Sequence, residues 1–230
     1  EVLYIYIHNH IIKNKMKKVF FLVCTILLTA HTSFAQNSDE AKALLEEVYQ
    51  KVKGYDNIFV DFKYVLNNSE AGINQETRGD VTLQGEKYIA NIFGTTQIFD
   101  GTKVYTVIPE NEEVTIENKS EDENALTPAK MLTFYRDGHN YEMDILQNVN
   151  GRKIQFIKLT PIDTDSEVKS ILLGIDAETK HIYKLIETGK NSTTTTITVN
   201  SFKTDQPLSE TLFTFDEAKY KDEGYYIVRN

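Results

Sequence analysis

The ionisable side chains that could carry catalysis are few and poorly placed in this sequence. His139 follows Asp137 and Gly138, but a glycine there is typical of a helix end, which places the histidine in a loop. His181 falls at an alternate position of a predicted strand, which is typical of a structural residue. The chain has no metal-protease, nucleophile-elbow, phosphate-loop or dinucleotide-binding motif. We therefore expect a protein that is not an enzyme and that needs no cofactor.

Residues 163–167, Asp-Thr-Asp-Ser-Glu, space three carboxylates like part of a calcium-binding loop. The run lacks the central glycine and the distant bidentate glutamate that such a loop requires, so we interpret it as a solvated turn and expect no metal. A carboxylate pair for glycoside cleavage stays open as an alternative, although no spacing in the sequence selects a pair.

The first 35 residues resemble the leader of an exported protein. Met16 and the two lysines after it form a start and a positive segment, residues 19–30 are apolar, and Ser33-Phe34-Ala35 suits signal peptidase. The apolar run is too short for a stable membrane anchor. We expect residues 1–35 to be an upstream segment and secretory signal, with cleavage near Ala35-Gln36. Residues 36–230 are then predicted to form a single periplasmic domain.

The charge of the predicted exported domain limits its partners. Of the 25 basic and 34 acidic residues, four and one precede Gln36, which leaves 21 and 33 and a net charge of −12. This balance argues against nucleic acid and against charge-driven binding to anionic membranes, and self-repulsion favours a monomer. Cys24 is the one cysteine and lies in the predicted leader, so burial rather than disulfides must stabilise the domain.

Two helices are predicted from spacing and capping residues. Ser38 is a suitable N-cap for an amphipathic helix whose apolar residues recur at helical spacing until Gly54. Thr127 and Pro128 are typical of a second helix start. Residues 120–124 are acidic and predict a solvated linker before that second helix.

Most of the remaining sequence alternates with a period of two and is interrupted by short turns. Short connections favour antiparallel neighbours. We predict a mainly β fold: a single curled antiparallel sheet of about eleven strands that forms an unclosed barrel, with a lid of two or three helices.

Aromatic residues lie mainly on these strands: the chain has 13 Tyr, 12 Phe and no Trp. Ordinary core packing explains any single one of them. Together they allow another interpretation, because a curled sheet of this width encloses more volume than a few short helices fill. An apolar cavity is therefore expected.

Several segments resemble, in order and spacing, the periplasmic outer-membrane lipoprotein carrier family LolA of Gram-negative bacteria. No single segment is specific; their order along the predicted domain carries the resemblance. The segments are Asp61-Phe62-Lys63-Tyr64, Gly79-Asp80-Val81-Thr82-Leu83, Phe99-Asp100-Gly101-Thr102-Lys103-Val104-Tyr105, Thr127-Pro128-Ala129-Lys130-Met131-Leu132, Leu159-Thr160-Pro161 and Leu212-Phe213-Thr214-Phe215.

The resemblance implies an unclosed barrel with a helical lid over an apolar cavity that takes the acyl chains of lipoproteins released from the inner membrane and carries them to the outer membrane. It implies acylated lipoproteins, an inner-membrane lipoprotein-releasing ABC transporter and an outer-membrane receptor as partners. Alternation and helical face then predict which residues line the cavity, and a one-residue register error would turn each strand residue outward. The predicted cavity residues are Phe62, Tyr64, Leu83, Tyr88, Ile92, Tyr105, Met131, Leu132 and Tyr135.

One departure from the family pattern and two alternatives complete the prediction. Where familiar members carry a basic Lys-Arg-Pro stretch after the second strand, this chain has Gln84-Gly85-Glu86. No arginine is therefore assigned the role of holding the lid closed.

A periplasmic sensor or protein-interaction domain on the same fold is the first alternative function. An exported hydrolase is the second, and it lacks any nucleophile motif.

Overall fold

The computed structural model describes residues 37–120 and 127–229. The predicted signal and most of the predicted acidic linker lie outside the described residues. Three helices are described: α1 (37–53), α2 (Pro128–Met131) and α3 (Glu217–Asp222). The strands are β1 (Ile58–Asn68), β2 (Ile73–Gln84), β3 (Lys87–Ile92), β4 (Thr95–Phe99), β5 (Lys103–Ile108), β6 (Glu113–Asn118), β7 (His139–Val149), β8 (Arg152–Pro161), β9 (Val168–Asp176), β10 (Ile182–Gly189), β11 (Thr194–Thr204) and β12 (Tyr226–Arg229).

The strands form one sheet in the order β12-β6-β5-β4-β3-β2-β1-β11-β10-β9-β8-β7. Two meanders, β1–β6 and β7–β11, therefore meet where β1 pairs with β11 at the centre. In the described part of the chain the end strands β12 and β7 do not pair with each other. The predicted mainly β fold, an unclosed barrel with a helical lid, is confirmed. One pair differs from the expected antiparallel pattern, because β12 returns over a long connection and pairs parallel to β6.

Helix α1 lies on the inner face of the second meander. Ala41, Leu45 and Val48 recur at helical spacing and are at most 5% exposed. They pack against buried residues of β8 and β9, including Ile157 and Leu173. Each such side chain contributes about 1.5–3 kcal/mol when fully buried, so this contact fixes the helix on the sheet.

The start of α1 differs from the sequence prediction. Residues 37 and 38 are already helical, so Ser38 lies inside the helix and is not its N-cap. The neighbouring Asn37 has another role: its side-chain oxygen accepts from the backbone N–H of Met143, and its amide donates to the Met143 carbonyl at 3.5 Å. Asn37 thus satisfies backbone groups on the end strand β7, which edge strands otherwise leave unpaired.

A second small core lies on the opposite face of the first meander. Val107, Val114 and Ile116 are buried there, and the C-terminal segment covers them. Phe215 stacks on Tyr105 with ring centroids 4.6 Å apart. This covering segment includes α3, which begins at Asp216, whose side chain accepts from the Lys219 backbone N–H.

Gly79 allows a close approach between an aromatic ring and the sheet. It lies opposite Phe62 in the β1–β2 ladder. A Cβ at this position would lie 2.7 Å from the Phe62 ring and 2.7 Å from the Asn91 carbonyl oxygen. The ring therefore lies directly over the glycine, and the backbone contact leaves no room for a methyl group.

His181 connects the segment after α1 to the inner wall of the sheet. Its ring stacks on Phe202 with centroids 4.1 Å apart, and its Nε2 lies 2.8 Å from the Tyr55 hydroxyl. Burial, with the nearby Lys51 ammonium, lowers the pKa of His181 from its ordinary value of 6.5, and Asp176 opposes this shift. The neutral imidazole is therefore the form that this contact favours.

The space at Gly79 can be tested by substitution. We expect Gly79→Ala to lower the free energy of unfolding by about 1–3 kcal/mol, because the added methyl group overlaps a backbone oxygen as well as a ring. Urea denaturation measures this loss. Gly54→Ala is the matched control, since its Cβ would meet its nearest neighbour at an ordinary 3.4 Å. Equal stabilities for the two variants would contradict the packing described at Gly79.

The lowered pKa of His181 predicts a pH effect on stability. As the pH falls through about 6.5, the unfolded chain takes up a proton at this histidine before the folded chain does, so the free energy of unfolding decreases. The decrease ends below the folded-state pKa. We expect His181→Gln to flatten this slope in urea denaturation between about pH 7 and pH 5.5. An unchanged slope would refute the assignment.

Candidate functional site

An apolar cavity lies between the inner face of the sheet and α2. The wall comes from the strands on both sides of the central β1–β11 joint, whose apolar residues alternate toward the inside. Its volume is about 230 Å³. The strand residues that line it are Val60, Phe62, Tyr64, Val81, Ala90, Ile92, Leu173, Ile182, Leu185, Ile197, Val199 and Phe202, with Asp80 beside them.

The strand register arranges these side chains in rows across the wall. In the deepest row Phe202 lies opposite Val60, and Val60 lies opposite Val81. Two residues further along β1, Phe62 lies opposite Val199. The next row contains Leu185, Ile197 and Tyr64. Each row is continuous because cross-strand partners face the same side of a sheet.

A small helical cover closes one side of the cavity. Thr127 caps α2 by accepting from the Lys130 backbone N–H at 3.3 Å, and Pro128 takes the first helical position, as the sequence predicts. Pro128, Met131 and Leu132 face the cavity, joined by Phe134 from the turn that follows. Met131 is 40% exposed, so the cover is thin and one of its side chains reaches both the cavity and the surface.

The cover is anchored at its C-terminal end. Tyr135 is completely buried under α1, and burial raises the pKa of its hydroxyl. The Arg136 guanidinium lies 3.7 Å from the centre of the Tyr49 ring and 3.9 Å from a carboxylate oxygen of Glu46, both on α1. The Tyr141 hydroxyl donates to the Arg136 carbonyl at 2.7 Å. Four contacts thus tie the end of the cover to α1 and β7.

The β3–β4 turn lies beside the wall. Phe93 has a positive φ of 53°, a conformation that costs a non-glycine residue of order 1–2 kcal/mol, and its side chain is 58% exposed. Its ring meets Tyr64 edge to face, with centroids 5.2 Å apart. Since Tyr64 lines the cavity, this exposed aromatic ring extends the apolar surface to the outside.

The composition of the cavity limits what it can do chemically. Asp80 is the one acidic or basic residue in its lining, and its carboxylate accepts from the Asn91 amide at 2.9 Å. The lining contains no histidine, cysteine or serine that would act as a base or nucleophile. Burial of apolar surface is therefore the interaction that this cavity offers to a ligand.

Five of the nine residues predicted for the cavity line it: Phe62, Tyr64, Ile92, Met131 and Leu132. Their role in binding a lipid stays a prediction.

The other four predicted residues lie elsewhere. Leu83 and Tyr88 face inward but are buried in a solid cluster with Phe99. Tyr135 is buried in the core below α1. Val104 pairs with Phe99 and therefore lies on the inner face of the sheet. Its neighbour Tyr105 lies on the outer face, where it contacts the C-terminal segment.

The sequence prediction missed the contribution of the second meander. Half of the apolar strand residues of the wall come from it: Leu173, Ile182, Leu185, Ile197, Val199 and Phe202. The alternation of Ile197 and Val199 with threonine and asparagine carries the same signal that identified Phe62 and Tyr64. What the alternation does not show is that β11 pairs with β1 and so faces the same cavity.

Within residues 37–120 and 127–229, no group of three or more His, Cys, Asp or Glu side chains is arranged to hold a metal ion. Among the helices described in the structure, none is long and apolar enough to cross a membrane.

Several solved structures are similar to this chain at low sequence identity. An uncharacterised conserved protein from Thermus thermophilus matches with a TM-score of 0.54 and 8% identity, over 80% of this chain and 98% of that chain. A LolA superfamily protein from Nitrosomonas europaea matches with a TM-score of 0.41 and 13% identity, over 76% and 97%. The MucA/MucB complex of Pseudomonas aeruginosa matches with a TM-score of 0.41 and 12% identity, over 77% and 61%. At these identities the likeness concerns the fold alone.

Sequence comparison gives the family. No curated protein matches this sequence. The model of the outer membrane lipoprotein carrier protein family LolA matches residues 92–216, which is more than half of the 230 residues and includes α2 and the strands β7–β11. The chain therefore belongs to the LolA family of outer membrane lipoprotein carrier proteins.

Proposed function

We propose that this protein is a periplasmic chaperone that binds the acyl chains of lipoproteins released from the inner membrane and carries them to the outer membrane. The observation that supports it best is the cavity: strand and helix side chains surround an apolar space with Asp80 as its one charged residue. Family membership supports the same function. We propose a binding role without catalysis, since Asp80 is the one acidic or basic residue of the lining and its carboxylate is bound by the Asn91 amide.

The energetics of acyl chains explain why such a cavity is useful. Each methylene group removed from water contributes about 0.8 kcal/mol, so an acylated protein does not leave a membrane unaided. A lining of Phe, Leu, Ile and Val side chains replaces the membrane interior for these groups. The alternative, a sensor domain that binds a protein, gives no reason for an apolar space of this kind.

The size of the cavity implies that its cover moves. At about 230 Å³ it is smaller than the sites of about 300–1,000 Å³ that hold small-molecule ligands. Displacement of α2, whose Met131 and Leu132 now fill the space above the wall, would enlarge it. Because Tyr135 and Arg136 hold the C-terminal end of the cover, we propose that its N-terminal part swings away from the sheet.

Control of this cover differs from the family pattern noted in the sequence. Gln84 ends β2, Gly85 and Glu86 form the β2–β3 turn, and Glu86 forms an ion pair of 2.8 Å with Lys119, which follows β6. Arg136 contacts Glu46 and Tyr49 and so holds the cover to α1. We propose that α1, rather than the β2–β3 turn, sets how easily the cover opens.

The proposed function requires partners that make lipoprotein transfer run from the inner to the outer membrane. The chain carries no nucleotide-binding motif, so it cannot drive transfer itself. We propose that an inner-membrane lipoprotein-releasing ABC transporter loads it and that an outer-membrane receptor with higher affinity for the acyl chains unloads it. Export by the predicted signal would place the monomeric carrier between the two membranes.

A carboxylate inside the cavity should abolish acyl binding. We expect Tyr64→Glu to remove binding of a fluorescent fatty acid, because a buried charge next to an acyl chain is strongly unfavourable. Circular dichroism should show the same sheet content as the unmodified protein, since Tyr64 lies at the wall surface rather than in a solid core.

Thr198→Glu is the matched control. Thr198 lies on β11 beside the wall residues Ile197 and Val199 but on the outer face, opposite Lys63. The same charge is thus placed on the same wall without facing the cavity, and binding should persist. A folded Tyr64→Glu protein that binds as well as the Thr198→Glu protein would contradict the location of the site.

A release assay tests the carrier function itself. Purified residues 36–230 are added to spheroplasts of the source bacterium, and the soluble fraction is probed for acylated lipoproteins bound to the added protein. We expect lipoproteins to co-purify with the unmodified chain and not with Tyr64→Glu. If neither chain releases lipoproteins while a known carrier does so in its own system, the carrier function is refuted and a binding or sensing domain becomes the better hypothesis.

A further inference from the structure

One row beyond the cavity, polar side chains join apolar ones on the inner face of the wall. Two residues past Leu185 on β10 is Glu187, which lies opposite Thr195 on β11. Thr195 lies opposite Leu66, and Leu66 lies opposite Gln75 on β2. We call Glu187, Thr195 and Gln75 the polar collar.

The register shows that Glu187 faces inward. It lies opposite Ile171 on one side, which is 5% exposed and belongs to the core beneath α1. Leu185, two residues before it on a regular stretch of ladder, lines the cavity. Since residues two apart on a strand share a face, the Glu187 carboxylate lies on the cavity side of the sheet.

The collar lies toward the end of the cavity that the first meander leaves open. β3 ends at Ile92, and the turn at Phe93 meets Tyr64, one row before the collar. Strands β1, β2, β10 and β11 continue past that turn. A chain in the cavity that emerges past Tyr64 therefore meets the row of Glu187, Thr195 and Leu66 next.

Glu187 is half-buried and has no partner of its own. In the portion of the chain that the structure describes, its carboxylate forms no ion pair and no side-chain hydrogen bond. Thr195 supplies a hydroxyl and Gln75 an amide, but a carboxylate is the one group here that only accepts. The collar thus combines neutral hydrogen-bonding groups with a single negative charge.

We propose that the collar binds the polar head of the ligand and that Glu187 selects heads carrying an ammonium or amide N–H over anionic heads. This inference rests on the proposed function, because it assumes that the cavity holds the apolar chain. A charge-assisted hydrogen bond between an N–H donor and a half-buried carboxylate is stronger than its neutral counterpart. An anionic head would face the same carboxylate with repulsion.

Ligands with one chain length and different heads test this selection. Dodecylamine, dodecanol and dodecanoate are each titrated against a bound fluorescent fatty acid at low ionic strength. We expect the unmodified protein to bind the amine most tightly and the carboxylate most weakly. Glu187→Gln should lower the affinity for dodecylamine by about fivefold, the size expected for a partly exposed ion pair, and leave the affinity for dodecanol unchanged.

Two further variants separate the collar from the net charge of the protein. Glu178→Gln makes the same charge change at an exposed position in the turn before β10, at the far end of that strand, and should keep the amine preference. Glu187→Lys should reverse the order, so that dodecanoate binds better than dodecylamine.

The outcomes distinguish this inference from the function on which it rests. Failure of all three ligands to bind the unmodified protein refutes the proposed function. Binding without a preference, or a preference that survives both Glu187 substitutions, refutes the role of Glu187. If Glu178→Gln loses the preference for dodecylamine as fully as Glu187→Gln does, the net charge of the protein explains the preference and the role of the collar is refuted.

Discussion

The structure depends on one constraint: a curled sheet presents a wide apolar inner face, and the helices cover only part of it. α1 covers the second meander, where its contact produces a solid core around Ile157 and Leu173. Beside the cavity, on β2, β3 and β4, the side chains of Leu83, Tyr88 and Phe99 fill the space inside the sheet. Between these two regions α2 is the one helix among the described residues that covers the sheet, and a cavity remains. The space thus follows from an unequal distribution of helical cover over a continuous sheet, because a void forms wherever no side chain reaches.

The two faces of the sheet serve different purposes along its length. The inner face holds α1, the cavity and the cover, while the outer face of β4–β6 carries the separate core formed with the C-terminal segment. That outer core fixes the strands at the end of the sheet without occupying any inner volume. The first meander can therefore keep a thin cover on its inside, because its stability also comes from Val107, Val114 and Phe215 on the outside.

Much of the fold could be predicted from the sequence, and the site only in part. Alternation identified Phe62 and Tyr64 because β1 is regular through both, and the Thr127-Pro128 pair identified the cover because its capping is local. Alternation gives two faces but does not say which is inside, so Tyr105 was assigned to the wrong face for a cavity residue. The half of the wall from β9, β10 and β11 needed the pairing of β1 with β11, a contact between distant parts of the chain that no local pattern contains.

The central β1–β11 joint also orders the events of folding. Each meander consists of strands that are neighbours in sequence, so it can form as soon as its own residues are available. The joint instead connects residues that are far apart in the chain. The Asn200 side chain, for example, donates a hydrogen bond to the Asp61 carboxylate 139 positions away. Contacts of such long range form late, because the loop between them must close first. Since the cavity wall is built on both sides of this joint, we expect the cavity to be completed late in folding. The apolar surface of the cavity is therefore exposed in two halves during folding, and we expect the time before they join to be the period in which this chain is most open to aggregation.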